Sequence, residues 1–291
     1  MSGETAAKTQ LEIASEEAPP SARASAAGSW MTHGAGFAAL RLLLLGLVLA
    51  VWQLTGDVLV GVQWVSSPVL VAKRFGVIVS DGSLADNTIA TLEETFLGLV
   101  LGIIGGVVAG VLIARAPRVL SDTLDPYIMG VYSLPRVALA PFFILWFGIG
   151  LESKVALVVS VVAFVVLFNV RQGIEGVDRD LIDALRSMRA GRWQMTRYVT
   201  IPAVVPWIIS AVKISVGLAL VSAVVGEMVG SIKGLGWYVT QSLNQFDMTG
   251  GVTSLLIMAA LALLLYAIVG RIERSVCRWQ TVQSSSRTVQ L

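Results

Sequence analysis

The stretch VDRDLIDALRSMRAGRWQMTRYVTIPAVVP, residues Val177 to Pro206, is the only long polar interruption in the middle of an otherwise apolar chain. Its apolar residues at helical spacing form one stripe: Leu181, Ile182, Leu185 and Met188. The stripe predicts a short amphipathic helix with Asp180 as its N-cap and Ala190-Gly191 as its end. A second short helix is predicted from Arg192 to Val199, and the two prolines that follow are expected to bound the next element.

The composition around this stretch is that of a membrane protein. Of the 291 residues, 55% are hydrophobic and 14% are charged, and the mean hydropathy is +0.78. A chain this apolar is not a soluble domain, so we predict an all-α polytopic membrane protein. A single cysteine, Cys277, excludes an intrachain disulfide, and a single histidine, His33, argues against a histidine-cluster metal site. Neither a metal nor a cofactor is expected.

Six apolar stretches are long enough to cross a bilayer. We predict spans at Phe37–Thr55, Thr95–Ala114, Pro126–Gly150, Val155–Val170, Ala203–Val225 and Val252–Gly270. The transmembrane domain then covers residues 37–274, between a disordered tail at 1–36 and a C-terminal tail at 275–291. The first span is interpreted as an uncleaved helix because no A-x-A site follows it; a signal peptide is the rival interpretation.

The basic residues predict the orientation of the chain. With the N-terminus inside, 14 of the 21 Lys and Arg residues lie in predicted cytoplasmic segments and four lie in predicted external segments. This asymmetry follows the positive-inside rule, so both termini and the loop at 178–202 are predicted to be cytoplasmic. The segments 56–91 and 226–251 are then external, and an interfacial helix is predicted around Val69 to Val79.

Glycines form a regular stripe in the second predicted span. They recur at every fourth position: Gly98, Gly102, Gly106 and Gly110. Such spacing leaves one helix face smooth enough for another backbone to approach closely. The sequence leaves open whether the packing partner is a helix of this chain or of a second copy.

Two predicted spans contain a basic residue, Arg136 and Lys213. A basic side chain at the centre of a span costs about 2.5 to 3.5 kcal/mol, so each site must be hydrated or paired. One interpretation is a cationic path for an anionic cargo, to which Glu227 and Asn169 would also contribute. The other is that both residues snorkel or pair structurally. The acids considered for such pairing are Glu152, Asp125 and Glu227.

The opening stretch resembles the cytoplasmic EAA loop of ABC importer permeases, whose pattern reads E-A-A-x3-G-x9-I-x-L-P. Pro202 falls in the register of the pattern's proline. Three positions depart from the pattern: Asp183 stands for Glu, Leu185 for the second Ala, and Arg189 for Gly. A glycine follows two residues later, at Gly191.

A wider resemblance points to the nitrate, sulfonate and taurine branch of that family and covers roughly Leu40 to Arg274. It is carried by Ser66-Ser67-Pro68, Asp125-Pro126, the run from Leu134 to Pro141, the run from Leu145 to Gly150, and Gly234-Leu235-Gly236. The resemblance implies a type I importer permease in the bacterial cytoplasmic membrane. It also implies a homodimer with the path at its interface, two ABC ATPase subunits and an extracytoplasmic solute-binding protein.

The resemblance further implies that the loop at 178–202 engages the ATPase. The residues assigned to this contact are Asp183, Ala184, Leu185, Arg189, Ala190, Gly191 and Pro202. On the residues alone, an amphipathic helix lying on anionic headgroups explains the same pattern.

Several motifs are absent from the sequence. It contains no G-x-x-x-x-G-K-[ST] phosphate loop, so ATP hydrolysis is expected on a partner and not in this chain. It contains no H-E-x-x-H or G-x-S-x-G motif, which disfavours a membrane enzyme. The main alternative is a secondary transporter with Arg136, Lys213 and Glu227 as the coupling group, but the spans show no inverted repeat. A small, anionic solute and membrane lipid are the remaining expected partners, and nucleic acid is not.

Overall fold

The computed structural model describes residue 37 and residues 39 to 276, and every regular element in these ranges is helical. We number the helices in chain order: α1 Ala39–Leu59, α2 Val62–Val65, α3 Pro68–Ser80, α4 Ser83–Arg115, α5 Arg118–Tyr132, α6 Ala140–Phe147, α7 Leu151–Glu175, α8 Arg179–Ser187, α9 Arg192–Met195, α10 Ile201–Val229, α11 Leu235–Asn244 and α12 Met248–Val276. The predicted tail at 1–36 and nearly all of the predicted C-terminal tail lie outside the described residues.

The chain divides into two units, Met1–Gly61 and Val62–Leu291. In the first unit, α1 is an apolar helix of 21 residues whose last turn, Thr55–Leu59, is π-helical. A helix of this length is sufficient to cross the hydrocarbon core of a bilayer. The first predicted span is therefore a helix, and it continues one turn beyond its predicted end.

Five stretches among the described residues are long and apolar enough to cross a membrane, and a bent helix pair makes six if it is counted as one span. They are α1, α4, α7, the continuous helical stretch Trp193–Val229, and α12, with α5 and Arg136–Phe147 as the bent pair. The prediction of an all-α membrane protein with about six spans is confirmed.

The third span was predicted to begin at Pro126, after a loop at 115–125. The structure differs from this prediction. Helix α5 starts at Arg118 and runs through Pro126. The chain then bends by 77° before a 3₁₀ turn, Arg136–Leu139, leads into α6. Pro135 explains the break, because a proline disfavours helical geometry in the residue before it and offers no backbone N–H.

The second span starts well before its predicted beginning at Thr95, since α4 begins at Ser83. The carboxylate of Asp81 accepts hydrogen bonds from the hydroxyl and the backbone N–H of Ser83, which lowers the pKa of Asp81 below its usual value. The first turns of α4 are polar, so hydropathy does not detect them. They are nevertheless helical because their polar side chains are buried against the protein, as Asn87 and Thr91 show.

The glycine stripe of α4 packs against α7, which runs parallel to it. Each glycine faces a valine that is fully buried: Val158, Val162, Val166 and Val170. A Cβ at Gly106 would lie 2.5 Å from the backbone oxygen of Ala163, and one at Gly102 would lie 2.7 Å from the Cβ of Val162. The packing partner of the stripe is thus a helix of the same chain.

Helix α10 packs antiparallel on α7, with Ala211, Ala219 and Ala223 fully buried in the shared core. Contrary to the prediction, Pro206 does not bound this helix but lies inside it. The helix also extends past its predicted end at Val225 to Val229. The predicted external segment at 226–251 therefore contains the last turn of α10 and all of α11.

Helix α3 closely matches the predicted interfacial helix and is held against the start of α12. Arg74 forms an ion pair with Asp247, and the hydroxyl of Ser66 donates to that of Thr249 at 3.0 Å. These contacts lie at the end of the bundle that carries Ser83 and Leu151. The loop at 178–202 lies at the other end, beside Arg115 and Glu175.

Candidate functional site

The helix of the loop, α8, is capped by Asp178 and not by the predicted Asp180. The backbone of Asp178 is non-helical, and its carboxylate accepts a hydrogen bond from the backbone N–H of Asp180 at 2.9 Å. An aspartate in that position satisfies one of the free amides at a helix N-terminus.

The end of α8 also differs from the prediction, because the chain turns at Arg189 and not at Ala190-Gly191. Arg189 has a left-handed backbone with φ of 58°. Its N–H donates to the oxygen of Arg186 at 2.9 Å, and the N–H of Ala190 donates to the oxygen of Leu185 at 3.0 Å. This pair of bonds is a Schellman motif, whose left-handed position is usually glycine. Arg189 stands where the EAA pattern has that glycine.

Gly191 begins the next helix instead of ending α8. Its N–H donates to the side-chain oxygen of Gln194 at 2.8 Å, and its carbonyl accepts from the N–H of Met195 at 3.0 Å. The reach of Gln194 back to Gly191 is one half of a capping box. A π-helical turn, Thr196–Thr200, then leads into α10, with Pro202 in its first turn.

The outer face of this loop is exposed. Asp183 pairs with Arg186 at 3.1 Å, and both side chains are 67% exposed. Ala184 is exposed, and so are large apolar side chains of the same loop: Leu181, Met188, Trp193 and Tyr198. We call these side chains, together with Asp183, Ala184 and Arg189, the loop surface. It combines apolar and charged groups and is open to a partner.

A buried polar cluster lies at the opposite end of the bundle, around Glu227. The Glu227 side chain is 1% exposed. One of its oxygens accepts from the hydroxyl of Thr91 at 2.6 Å, and the other accepts from the N–H of Gly236 at 2.6 Å. Asn87 accepts from the N–H of Gly234 at 2.8 Å. These bonds tie the start of α4 to the end of α10 and to the Gly-Leu-Gly turn.

Two further charged side chains complete the buried cluster. Lys154 at the start of α7 donates to the hydroxyl of Ser231 at 2.9 Å, and its Nζ lies 3.6 Å from Oε1 of Glu94. Lys154 and Glu94 are 4% and 3% exposed. We define the buried cluster as Asn87, Thr91, Glu94, Lys154, Glu227 and Ser231, with the backbone of Gly234 to Gly236.

The Gly-Leu-Gly turn needs its glycines in order to reach this cluster. Gly234 has φ of +114°, and a Cβ there would lie 2.7 Å from Oε2 of Glu227. A Cβ at Gly236 would lie 2.9 Å from the same oxygen. Any larger residue at either position would separate the turn from the carboxylate.

Most residues of the buried cluster were not among the predicted site residues. Asn87, Thr91 and Glu94 follow one another at spacings of four and three residues, which places them on one face of a helix. That polar stripe was a usable signal, but it lies outside the apolar window by which the span was recognised. Lys154 lies just before the fourth predicted span, where a basic residue gives no signal of burial.

The predicted path residues have separate surroundings. The Arg136 guanidinium stacks over the rings of Tyr132 and Phe164, with its carbon 4.9 and 4.5 Å from their centroids, and donates to the oxygen of Tyr132 at 3.3 Å. None of the ion pairs formed by residues 39–276 involves Arg136. Asn169 donates to the oxygen of Val165 at 2.8 Å within α7.

Lys213 is paired, although with none of the predicted acids. Its Nζ lies 2.7 Å from Oε2 of Glu273 on α12, and the two side chains are 50% and 34% exposed. Of the acids considered earlier, Asp125 pairs with Arg171 and Glu227 belongs to the buried cluster. The four predicted path residues therefore do not form one cluster in the described chain.

Known proteins resemble this chain over most of its length. The model of the binding-protein-dependent transport system inner membrane component family matches residues 102–278. The riboflavin transport system permease protein RibX of Chloroflexus aurantiacus is 36% identical over 214 residues, which are 74% of this chain and 80% of that protein. The putative aliphatic sulfonates transport permease protein SsuC of Bacillus subtilis is 31% identical over 241 residues, which are 82% and 87% of the two chains.

A solved structure shows the same arrangement of helices. A chain of the MetNI methionine ABC transporter, in an inward-facing conformation, aligns with a TM-score of 0.57 and 26% identity. The alignment covers 64% of this chain and 93% of that chain.

Proposed function

The chain belongs to the binding-protein-dependent transport system inner membrane components, and from that premise we propose that it carries a small anionic solute inward across the cytoplasmic membrane. It is a multi-pass, non-catalytic permease subunit of an ABC importer, of the nitrate, sulfonate and taurine type. The ion-gradient-driven alternative is not favoured by any of these similarities.

Coupling to the ATPase is assigned to the loop surface. Its supporting observation is the exposure of Ala184 and Asp183 beside apolar side chains that a membrane protein would otherwise bury. Small and acidic residues on the exposed face of a short, capped helix permit close approach to a partner cleft. Closure of two ATPase subunits would then move α8 and, through Gly191 and the π-helical turn, the long helix α10.

The basic residues support the orientation of the complex. One end of the bundle carries Arg115, Arg171 and the arginines of the loop. By the positive-inside rule, this end and both termini would be cytoplasmic. The solute-binding protein would then dock at the end formed by α3 and α11. A second copy of the permease would complete the path as a homodimer.

The proposal that the cargo is anionic rests on the surroundings of Arg136. Its guanidinium is half-buried and rests on two aromatic rings, with no carboxylate partner among the described residues. Aromatic faces attract a cation but leave its charge formally uncompensated. A passing anion would compensate that charge for a moment, whereas Lys213 is already compensated by Glu273.

Several named relatives carry different solutes. Their names record riboflavin, aliphatic sulfonates, formylaminopyrimidine and taurine. The charge of the cargo therefore rests on Arg136 and not on the relatives.

The proposal is tested by solute uptake into vesicles that contain the permease, its ATPase and its binding protein. Uptake should require ATP on the side of the vesicle membrane where the ATPase lies. It should persist when an ionophore collapses ion gradients. Arg136→Gln should slow uptake of an anionic solute several-fold, while Arg136→Lys should retain more activity because it keeps the charge. Equal uptake by all three proteins would remove the anionic proposal, and ionophore-sensitive uptake without ATP would favour the secondary transporter.

A further inference from the structure

The buried cluster contains two carboxyl groups and one ammonium group. Glu94, Glu227 and Lys154 are all at least 96% buried, since their exposed fractions are 3%, 1% and 4%. If both acids were ionised, the cluster would carry one uncompensated negative charge inside the protein. Burial of an unpaired charge is strongly unfavourable, and such groups change their protonation instead.

The hydrogen bonds distinguish the two acids. Glu227 accepts one bond on each oxygen, from Thr91 and from the backbone of Gly236, which suits an ionised carboxylate. Glu94 has a buried oxygen, Oε2, that receives no hydrogen bond from any described residue. Buried polar atoms without a partner are rare and require an explanation.

The surroundings of Glu94 supply that explanation. The charged groups that act on it are Glu227 from α10 and Lys154 from α7. Two carboxylates that face each other repel, whereas a protonated carboxyl donates a hydrogen bond to an ionised one. One added proton therefore satisfies the orphaned oxygen, removes the repulsion and makes the cluster neutral with Lys154.

We propose that Glu94 and Glu227 form a buried proton-binding site, in which Glu94 holds a proton that it shares with the ionised Glu227. The bound proton locks the starts of α4 and α7 to the end of α10 and the Gly-Leu-Gly turn. Loss of the proton places two like charges side by side at the end of the bundle opposite the loop surface. The inference does not depend on the identity of the cargo.

The proposal gives the stability of the permease a definite dependence on pH. The folded chain holds a proton on Glu94 under conditions where an exposed glutamate in the unfolded chain has lost it. Because the folded state then binds more protons than the unfolded state, the free energy of unfolding falls as the pH rises. The fall begins where an exposed glutamate loses its proton and ends at the higher pH at which the shared proton leaves.

Two matched substitutions test the assignment in the full-length permease held in nanodiscs. Glu94→Gln keeps a donor in place of the proton, so it should melt like the unmodified protein at neutral pH and should lose the fall in melting temperature that accompanies rising pH. Glu227→Gln presents an amide to groups that are themselves donors, so it should lower the melting temperature at every pH. The reverse order of the two variants would overturn the assignment.

A spectroscopic measurement on the unmodified protein covers the case in which neither variant folds. The infrared carbonyl band of a protonated carboxyl should persist in the unmodified protein at mildly alkaline pH, where exposed acids are ionised. The same band should be missing from Glu94→Gln. Absence of the band from the unmodified protein would overturn the proposal.

Discussion

Gly106→Ala provides the sharpest test of the packing between α4 and α7. The new Cβ would lie 2.5 Å from the backbone oxygen of Ala163, which cannot move aside as a flexible side chain would. Gly105 is the matched control, because it is one residue away on the same helix and a Cβ there meets nothing within 4 Å. Both substitutions gain about 0.5 to 1 kcal/mol from the helix propensity of alanine.

The difference between the two variants isolates the contact. Overpacking a tight interior costs about 1 to 3 kcal/mol, so Gly106→Ala should be less stable than Gly105→Ala by about that amount. At roughly 2 to 4 °C per kcal/mol for a chain of this size, the melting temperatures should differ by at least about 2 °C. Thermal melting of both variants in the same detergent or nanodisc measures this difference. Equal melting temperatures, or a higher value for Gly106→Ala, would refute the packing argument.

Three further outcomes are expected. Arg189→Gly should raise the melting temperature, since a non-glycine residue costs about 1 to 2 kcal/mol in the left-handed conformation. Arg189→Ala should not raise it, and equal effects of the two substitutions would contradict the strain at this position. In a background without Cys277, an impermeant thiol reagent should label Ser187→Cys only from inside and Gln245→Cys only from outside; labelling of both from one side would refute the topology. Lys213→Gln should change uptake little, because its charge is paired with Glu273; a loss as large as that of Arg136→Gln would show that Lys213 also serves the path.

The spans were predictable because hydrocarbon selects for long apolar windows, and the glycine spacing likewise predicted a tight helix contact. The start of α4 was not predictable by that criterion. Asn87 and Thr91 are polar yet buried by protein, and hydropathy cannot distinguish burial in protein from exposure to water. Glu227 was placed outside the fifth span for the same reason, although it lies in the last turn of α10.

The loop shows a second limit of the sequence. The pattern located the helix and identified Arg189 as a departure from glycine. It did not show that Arg189 itself adopts the left-handed turn, because Gly191 two residues later offered a more favourable residue for ending a helix. The contacts of Arg136 with Phe164 and of Lys213 with Glu273 were also beyond prediction, since both partners come from distant parts of the chain.

The central claim is that the loop surface transmits ATP hydrolysis to the permease, and Ala184→Glu tests it most directly. Uptake and ATP hydrolysis should be measured together in vesicles that contain the permease, its ATPase and its binding protein. Gly105→Ala, a variant far from the loop that is prepared in the same way, serves as the control. The account predicts that Ala184→Glu abolishes uptake and that the loaded binding protein no longer stimulates ATP hydrolysis. The permease should remain folded in the membrane. Normal uptake by Ala184→Glu would contradict the account.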